Sequence, residues 1–367
     1  MEFYKIQDYP DFLFQRAYRR KAYQAIRKKV KSIAIYKSGG GLGDLVQSIP
    51  LFRSFKEMFP ESKLFYLGLY QRPRCNTLFN CIPYIDGYIE YVRPGRESSL
   101  KEYLRFRKDF FGKFDLIVDT QSKFAPSFYL WFLASKYFLS RNPFFSHWKS
   151  MPGLNKKIHV AAKMYFLARI LGHKGADINP AINIPRDYIA AAEKCLAVHS
   201  GPFISILPGA GHPYKMWPKE NFAFLADKFS SMGYRIILLG AENEKSLLLE
   251  VSGLMQSKPI IPMLEEPLFG QDPIYSIGLF KSSILTIGCD CGGLHLSTLA
   301  GCPVIGIYGP SSPLKSGPLG KKNVVIYKRF DCSPCRLKDC KFQRSCLKEI
   351  IPEDIIQAAN FILRDVS

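Results

Sequence analysis

The sequence predicts an α/β protein made of two facing Rossmann-like domains. A short apolar run at residues 32–36 is followed by a glycine-rich loop and then by a helical pattern, which is how a βαβ unit begins. A second series of apolar strands begins at Phe203, after a looser stretch over residues 174–202. Two such halves leave a cleft between them, and open α/β sheets bind their ligands at the carboxyl ends of the strands.

The boundary between the halves follows from this change of pattern. We predict a first domain over residues 1–180, a linker over 181–200, a second domain over 201–345 and a C-terminal helical segment over 346–367. Strands are expected at 32–36, 63–69, 115–119, 203–207, 235–239, 284–287 and 304–308. Helices are expected at 100–110, 219–229 and 294–300, and a last helix at 352–364 is expected to pack back across the first domain.

Composition limits the kind of protein. The 367 residues are 47% apolar and 14% aromatic, which is enough for two domains with cores of their own. The longest apolar stretch, residues 127–139, is interrupted by Ser135 and Lys136 and is shorter than the ~20 residues that span a bilayer. The N-terminus carries acidic and polar residues where a secretory signal has a basic start and an apolar core, so we predict a cytoplasmic protein.

The charge predicts an anionic partner. Fifty-one Lys and Arg residues against 31 Asp and Glu residues give a net charge of +20, which attracts nucleic acid, anionic lipid or a phosphorylated substrate. Basic residues are concentrated at 14–31, where apolar residues also recur at helical spacing. This basic amphipathic helix fits two roles equally: it packs its apolar side on the domain, or it lies on a membrane surface.

The glycine-rich loop at 39–43 is the first candidate site. Gly41 and Gly43 let the backbone approach a ligand, and the helix that follows directs free N–H groups and its positive dipole end at anions. The loop departs from the G-x-G-x-x-G pattern because Asp44 and Leu45 follow Gly43. A carboxylate here would repel a diphosphate, so Asp44 is interpreted either as a helix cap or as a base that faces an acceptor.

The second domain offers two further loops at strand ends. Gly209 lies in a turn directly after the strand at 203–207. Lys215 follows in the segment Lys-Met-Trp-Pro, where its ammonium group is either one more surface charge or a phosphate ligand. Further along, a glycine turn after Ile287 opens a helix near Gly292, and the first N–H groups of that helix suit a pyrophosphate.

Four motifs therefore stand in a fixed order: Gly-Asp before an apolar helix, Lys-x-Trp-Pro, Asp-x-Gly-x-x-His, and Gly-x-Pro followed by Gly-Pro. With them the chain, from Ile33 onward, resembles the bacterial ADP-heptose:lipopolysaccharide heptosyltransferases, glycosyltransferases of the GT-B fold. The resemblance implies two facing Rossmann-like domains with a deep cleft. It also implies a nucleotide-diphosphate sugar donor carrying heptose, a phosphorylated lipid-linked glycan acceptor, and a peripheral position on the inner-membrane surface.

The same resemblance implies a role for each matching residue. Asp44 would be the catalytic base of an inverting transfer, and Lys215 would bind the donor phosphates. Asp290 would bind hydroxyl groups of the donor sugar, and Glu242 or Glu244 would lie near the ribose. We call residues 290–293 the donor turn. The backbone of Cys291, Gly292 and Gly293 in this turn would contact the diphosphate, and His295 would lie close by. Cys291 stands where relatives carry Ser or Thr, and His295 fits a core position as well as a ligand contact.

The last candidate site is a cluster of cysteines. Cys332, Cys335, Cys340 and Cys346 have the spacing C-x2-C-x4-C-x5-C within fifteen residues. Four thiolates so close together could close a structural zinc site, although the spacing matches no standard zinc ribbon. Free thiols or facultative disulfides are the alternatives. No Asp-x-Asp motif is evident, so we expect catalysis to need no metal cofactor.

Two other functions compete with glycosyl transfer. Two Rossmann-like halves could hold a nicotinamide dinucleotide, but the glycine pattern is broken and no acidic residue marks the end of a second strand. An RNA-binding protein would explain the charge of +20, but no RNA-recognition motif accompanies it. We therefore expect no nucleic-acid partner, and we expect a monomer.

Overall fold

The computed structural model describes most of both predicted domains. The described residues are 2–4, 20–37, 41–68, 76–90, 108, 112–121, 124–133, 136–142, 144–147, 158–175, 178, 180, 182–320, 322–335, 340, 342–343 and 345–364. Residues 14–19 of the predicted basic helix, the glycines at 39 and 40, and nearly all of the predicted helix at 100–110 lie outside them.

The described part of the chain forms eleven strands in two sheets. Strands β1 to β6 span Glu2–Tyr4, Ser32–Lys37, Lys63–Gly68, Gly87–Glu90, Leu116–Asp119 and Tyr137–Ser140. Strands β7 to β11 span Phe203–Leu207, Arg235–Leu238, Ser283–Cys289, Val304–Tyr308 and Val324–Tyr327. One sheet has the order β4-β3-β2-β5-β6 and is parallel throughout. The other has the order β1-β11-β10-β9-β7-β8 and is parallel except for β1.

Helices connect the strands in both halves, as parallel sheets require. Helices α1 to α7 span Arg20–Ile26, Leu42–Val46, Ile49–Met58, Asn76–Asn80, Phe124–Leu133, Val160–Ile170 and Arg186–Leu196. Helices α8 to α12 span Lys219–Ser231, Lys245–Leu254, Pro262–Glu265, Leu268–Gln271 and Pro273–Ser282. Helices α13 to α16 span Gly292–Leu299, Pro313–Ser316, Ser345–Lys348 and Pro352–Arg364. The predicted α/β class with two Rossmann-like halves is thus confirmed.

The predicted linker is itself largely helical. Helix α7 lies within residues 181–200 and packs against α12 of the second half. The two helices approach closely at Gly278, where a side chain would collide with the backbone carbonyl of Tyr188. Ala192, fully buried in the core, lines the same contact. This packing ties the linker to the second half of the chain.

Both ends of the described chain differ from the prediction. Strand β1 pairs antiparallel with β11, so residues 2–4 belong to the second sheet and not to the first domain. Helix α16 has the predicted bounds, but it packs on α8, β9, β10 and β11 rather than across the first domain. Its buried residues Ile355, Ala358, Ala359 and Ile362 recur at helical spacing and form one apolar stripe, which the second sheet covers.

Among the described residues, none of the helices combines the length and the apolar character that crossing a bilayer requires.

Candidate active site

The two domains touch through the helices that follow their glycine turns. Helix α2 begins after Gly41 in the first domain, and α13 begins after Cys291 in the second. A Cβ atom on Gly43 would lie 2.5 Å from Cδ2 of His295, and one on Gly292 would lie 3.1 Å from Cβ of Leu42. A side chain at Gly43 would collide with the buried imidazole of His295, and one at Gly292 would contact Leu42 tightly. The two predicted sites therefore form one site.

A cavity of about 690 Å³ opens beside this contact, mostly within the second domain. Its walls come from the ends of β7, β8 and β9 and from α11 and α12. The lining residues include Gly41, Leu42, Gly209, Ala210, Gly211, His212, Gly240, Asn243, Glu244, Phe269, Gln271, Ser276, Cys291, Gly292 and Gly293. The cavity lies at the carboxyl ends of parallel strands, where open α/β sheets bind ligands. Gly43, predicted as part of a phosphate loop, contacts His295 instead of lining this cavity.

Of the two glutamates predicted to lie near the donor ribose, only Glu244 lines the cavity. Glu244 lines the cavity, and its Oε2 accepts a hydrogen bond of 2.8 Å from the backbone N–H of Ala241. Its carboxyl group fills the space in front of Gly209, where a side chain would collide with it. Burial raises the pKa of Glu244, and the Ala241 hydrogen bond opposes that shift. Glu242 is exposed and does not line the cavity.

Lys215 and Asp290 form an ion pair, although neither residue lines this cavity. Nζ of Lys215 lies 2.7 Å from Oδ2 of Asp290, and both side chains are largely buried. The loop that carries Lys215 is anchored by Trp217, whose Nε1–H donates to the carbonyl of Ile350 at 2.8 Å and whose backbone N–H lies 3.2 Å from Sγ of Cys289. Sequence alone assigned these two charges separate roles. The structure holds them together as one unit of opposite charges.

Asp44 lies in the first turn of α2, directly after Gly43 at the domain contact. The N-cap of this helix is Gly41, so the cap interpretation of Asp44 does not describe this helix start. Oδ1 of Asp44 lies 3.1 Å from Nζ of Lys37, and the Asp44 side chain stays 38% exposed. A charged carboxylate that reaches solvent is able to accept a proton. Lys37 was missed by the sequence analysis, although its place at the end of β2 is a signal that could have identified it.

His295 lies between the two aspartates. It is 4% exposed, its Nε2 lies 3.4 Å from Nε2 of Gln47, and its Nδ1 has no hydrogen-bond partner among the described residues. Burial lowers the pKa of His295, while the negative charges of Asp290 and Asp44 oppose that shift. The imidazole is therefore neutral near pH 7. Gln47, buried beside it, is a second residue that sequence reasoning missed.

Cys291 occupies the N-cap position of α13 and lines the cavity. Burial raises the pKa of its thiol to about 12. The side chain that replaces a hydroxyl at the donor turn is therefore a neutral thiol. It places no negative charge where an anionic ligand would bind.

The four clustered cysteines belong to the segment that follows β11, which contacts the Gly309-Pro310 loop at the end of β10. Cys346 is buried; its burial, followed by the charges of Cys335, Cys340 and Cys332, raises the pKa of its thiol to about 11. Among the residues described, no set of three or more His, Cys, Asp or Glu side chains has an arrangement that could hold a metal ion. The backbone N–H of Cys335 donates to the carbonyl of Pro310 at 3.0 Å, which ties this segment to the Gly-Pro loop. The structural zinc site remains a prediction.

Comparison with known proteins identifies relatives of this chain. Residues 103–345, more than half of the chain, match the model of glycosyltransferase family 9 (heptosyltransferase). Lipooligosaccharide heptosyltransferase 2 of Campylobacter jejuni is 25% identical over 333 residues, which cover 88% of this chain and 96% of the relative.

Solved structures support the same assignment at the level of the fold. The family 9 glycosyltransferase of Veillonella parvula superimposes with a TM-score of 0.72 at 22% identity, covering 91% of this chain and 97% of that one. Escherichia coli ADP-heptose lps heptosyltransferase II does so with a TM-score of 0.68 at 18% identity, covering 92% and 100%. The predicted GT-B fold is confirmed, and the oxidoreductase and RNA-binding alternatives lose their support. Because the family match spans the donor turn, the cavity and the loops around them, this chain belongs to glycosyltransferase family 9, the heptosyltransferases, and is a glycosyltransferase.

Proposed function

We propose that this protein transfers heptose from ADP-heptose, with inversion, to a lipopolysaccharide core or a related anionic glycan. The observation that carries the proposal is the position of Asp44 across the domain contact from the donor turn at Asp290 to Gly293. Gly292 and Leu42 meet at this contact, so a carboxylate of one domain faces a helix N-terminus of the other. An inverting transfer needs a base and a leaving-group site on opposite sides of one carbon atom.

The acceptor hydroxyl attacks the anomeric carbon and forms the new C–O bond while its proton passes to Asp44. The bond between the anomeric carbon and the diphosphate oxygen breaks, and its electron pair leaves with ADP. Lys37, with its Nζ 3.1 Å from Oδ1 of Asp44, forms an ion pair with this carboxylate in the absence of substrate.

The leaving diphosphate gains charge as the bond breaks, so the site must neutralise it. Helix α13 directs its free N–H groups and its positive dipole end into the cavity through Cys291, Gly292 and Gly293. Lys215 is close enough to exchange its partner Asp290 for a phosphate. Release from Lys215 would free the Asp290 carboxylate to accept hydrogen bonds from sugar hydroxyls. These groups are proposed to suffice without a metal cofactor.

The acceptor is proposed to be a phosphorylated lipid-linked glycan, reached at the inner-membrane surface by a monomeric enzyme. The net charge of +20 supports attraction to an anionic membrane. The described part of the basic segment, residues 20–31, begins with helix α1 and continues into a turn; Ile26 and Val30 are buried, whereas Arg27, Lys28 and Lys29 are exposed. One side of this segment therefore packs on the domain, and the other presents positive charge.

The direct test is a screen of nucleotide sugars with a truncated lipopolysaccharide acceptor, in which released nucleoside diphosphate and glycosylated product are both measured. We expect ADP release and product formation with ADP-heptose, and much less with UDP-glucose or GDP-mannose. NADH added as a competitor should not protect the protein against thermal unfolding, whereas ADP should. Absence of product with every donor, or protection by NADH alone, would refute the proposal.

A further inference from the structure

Helix α5 of the first domain carries aromatic side chains on its outward face. Phe124, Phe128 and Trp131 follow one another at helical spacing and are exposed, Phe124 to 61%. The opposite face is already packed, because Ser127 and Leu130 are fully buried. The sequence of this helix contains no charged residue. A surface helix normally turns charged or polar residues to the solvent, so the outward face of α5 is apolar where polar residues are expected.

The loop after β6 extends this face into one continuous surface. The ring of Phe145, which is half-buried, lies 4.9 Å from that of Phe124 and 5.9 Å from those of Phe128 and Trp131. Phe144, 81% exposed, has its ring 6.4 Å from that of Phe124. We call these five residues the aromatic patch. Exposed apolar clusters of this kind mark sites of contact with another molecule or with a membrane.

The aromatic patch shares a sheet edge with the proposed base. Strands β2, β5 and β6 are adjacent and parallel, and helix α5 and the loop of Phe144 each follow the carboxyl end of one of them. Thr120, directly after β5, donates through its hydroxyl to the carbonyl of Tyr36 at 2.8 Å. The residue after Tyr36 is Lys37, whose Nζ lies 3.1 Å from Oδ1 of Asp44. The patch and Asp44 therefore lie at the same edge of the first sheet.

The chain around the aromatic patch carries positive charge alone. Residues 120–157 contain six Lys or Arg residues and no Asp or Glu. The acidic residue that precedes this range, Asp119, is fully buried. Such a segment attracts anions and repels a second copy of itself, because each copy brings the same charges. Anionic lipid headgroups complement this charge, and the acyl boundary beneath them accepts aromatic rings, which are enriched at membrane interfaces.

We propose that the aromatic patch is the surface through which this protein enters the apolar boundary of an anionic lipid leaflet. The rings bury there apolar area that water covers in the free protein, and the basic residues add attraction to the headgroups. Because the patch and Asp44 share one edge of the sheet, the docked protein turns that edge toward the leaflet that anchors a lipid-linked acceptor. This presentation of the acceptor rests on the proposed function; the affinity of the patch for lipid does not.

The first test measures vesicle binding without catalysis. Sedimentation is followed with phosphatidylcholine vesicles that contain about one-third phosphatidylglycerol. Phe144→Ala and Trp131→Ala should each weaken partitioning about tenfold, since each removes a large apolar side chain from the lipid contact, whereas Phe144→Trp should retain it. The matched control Phe224→Ala, at a 51% exposed phenylalanine on α8 of the second domain, should have no effect. Equal partitioning of wild type, Phe144→Ala and Trp131→Ala would overturn the proposal.

The second test measures whether the rings enter the lipid or remain above it. Tryptophan fluorescence is recorded with vesicles whose acyl chains are brominated, because bromine quenches only indole rings that come close to it. Vesicle-bound wild type should be quenched. Trp131→Phe, which keeps an aromatic ring in the patch, should bind the vesicles as wild type does and show less quenching. Quenching of the same extent in wild type and in Trp131→Phe would mean that the patch stays outside the acyl layer, contrary to the proposal.

The alternative occupant, a second copy of this chain, is tested by analytical ultracentrifugation without lipid. Wild type should sediment as a monomer. A wild-type dimer that Phe144→Ala dissociates would assign the patch to contact between copies and refute lipid docking.

Transfer kinetics separate the patch from the proposed function. Phe144→Ala should raise the KM for an acceptor embedded in vesicles about tenfold and leave the KM for a soluble, delipidated acceptor unchanged. If the variant keeps the wild-type KM for the embedded acceptor, presentation by the patch is wrong although the transferase assignment stands. If wild type transfers nothing to either acceptor, the assignment fails and vesicle binding still decides the patch.

Discussion

Replacing Asp44 by asparagine separates its chemistry from its structural role. Asparagine has the same shape but cannot accept the proton of the acceptor hydroxyl. General-base catalysis contributes about 100-fold to 10,000-fold, so turnover should fall by at least about 100-fold, which corresponds to a barrier about 2.7 kcal/mol higher. The substitution also removes the ion pair with Lys37, in which Asp44 is 38% exposed. A pair exposed to that degree contributes about 1 kcal/mol or less to the free energy of unfolding.

The structure makes these two effects separable. No helix cap is lost, because Gly41 and not Asp44 is the N-cap of α2. The melting temperature should therefore fall by only a few degrees, while donor affinity, which depends on groups of the other domain, stays near that of wild type. The assay pairs ADP release under saturating donor with calorimetric binding of ADP.

Asp187→Asn is the matched control. It makes the same chemical change in the first turn of a helix, α7, at an exposed position. It should leave turnover, donor affinity and melting temperature unchanged. An Asp44→Asn enzyme that turns over within a few-fold of wild type would refute the base assignment, whatever its stability.

Four further outcomes are expected. Lys215→Ala should weaken ADP binding and slow transfer together, because it removes a phosphate ligand and leaves Asp290 buried without its cation; unchanged values for both would contradict its role. Elemental analysis of anaerobically purified protein should find about one zinc per chain if the four cysteines close a site. Replacing the exposed Arg27, Lys28 and Lys29 by glutamate should weaken sedimentation with anionic vesicles at low salt, because it reverses positive charge without removing β1 or the buried Ile26 and Val30. The free energy of unfolding should fall as the pH rises from about 4 to about 6. In the native protein Asp119 has a pKa of about 6 and keeps its proton over this range, whereas the unfolded chain releases it. Thermal melts of Asp119→Asn should therefore lack this pH dependence.

The framework of the fold could be predicted because its signals are local. The strands Phe203–Leu207 and Val304–Tyr308 have the predicted bounds, since each is a short apolar run between turn residues. The helix Pro352–Arg364 was also located from its spacing. The glycine turns could be recognised because glycine is the residue that lets a backbone come close to another group.

Contacts between residues that are far apart in the chain could not be predicted from the sequence. The Lys215–Asp290 pair joins positions 75 residues apart, and the contact between Gly43 and His295 joins two domains. Strand β1 has three residues, too few for a pattern, and its antiparallel pairing depends on the edge that β11 offers. The docking of α16 depends on which surface remains uncovered, and no property of the helix alone determines that.

The arrangement of the site makes domain contact a condition for transfer. Asp44 and Lys37 belong to the first domain, whereas Lys215, Asp290 and the start of α13 belong to the second. Neither set alone can both accept the acceptor proton and neutralise the diphosphate. The two sets adjoin where Gly43 meets His295 and Leu42 meets Gly292, and a side chain at Gly43 would collide with the buried imidazole of His295. A larger side chain at Gly43 should therefore reduce turnover without affecting the cavity that holds the nucleotide, because it separates the base from the reacting carbon.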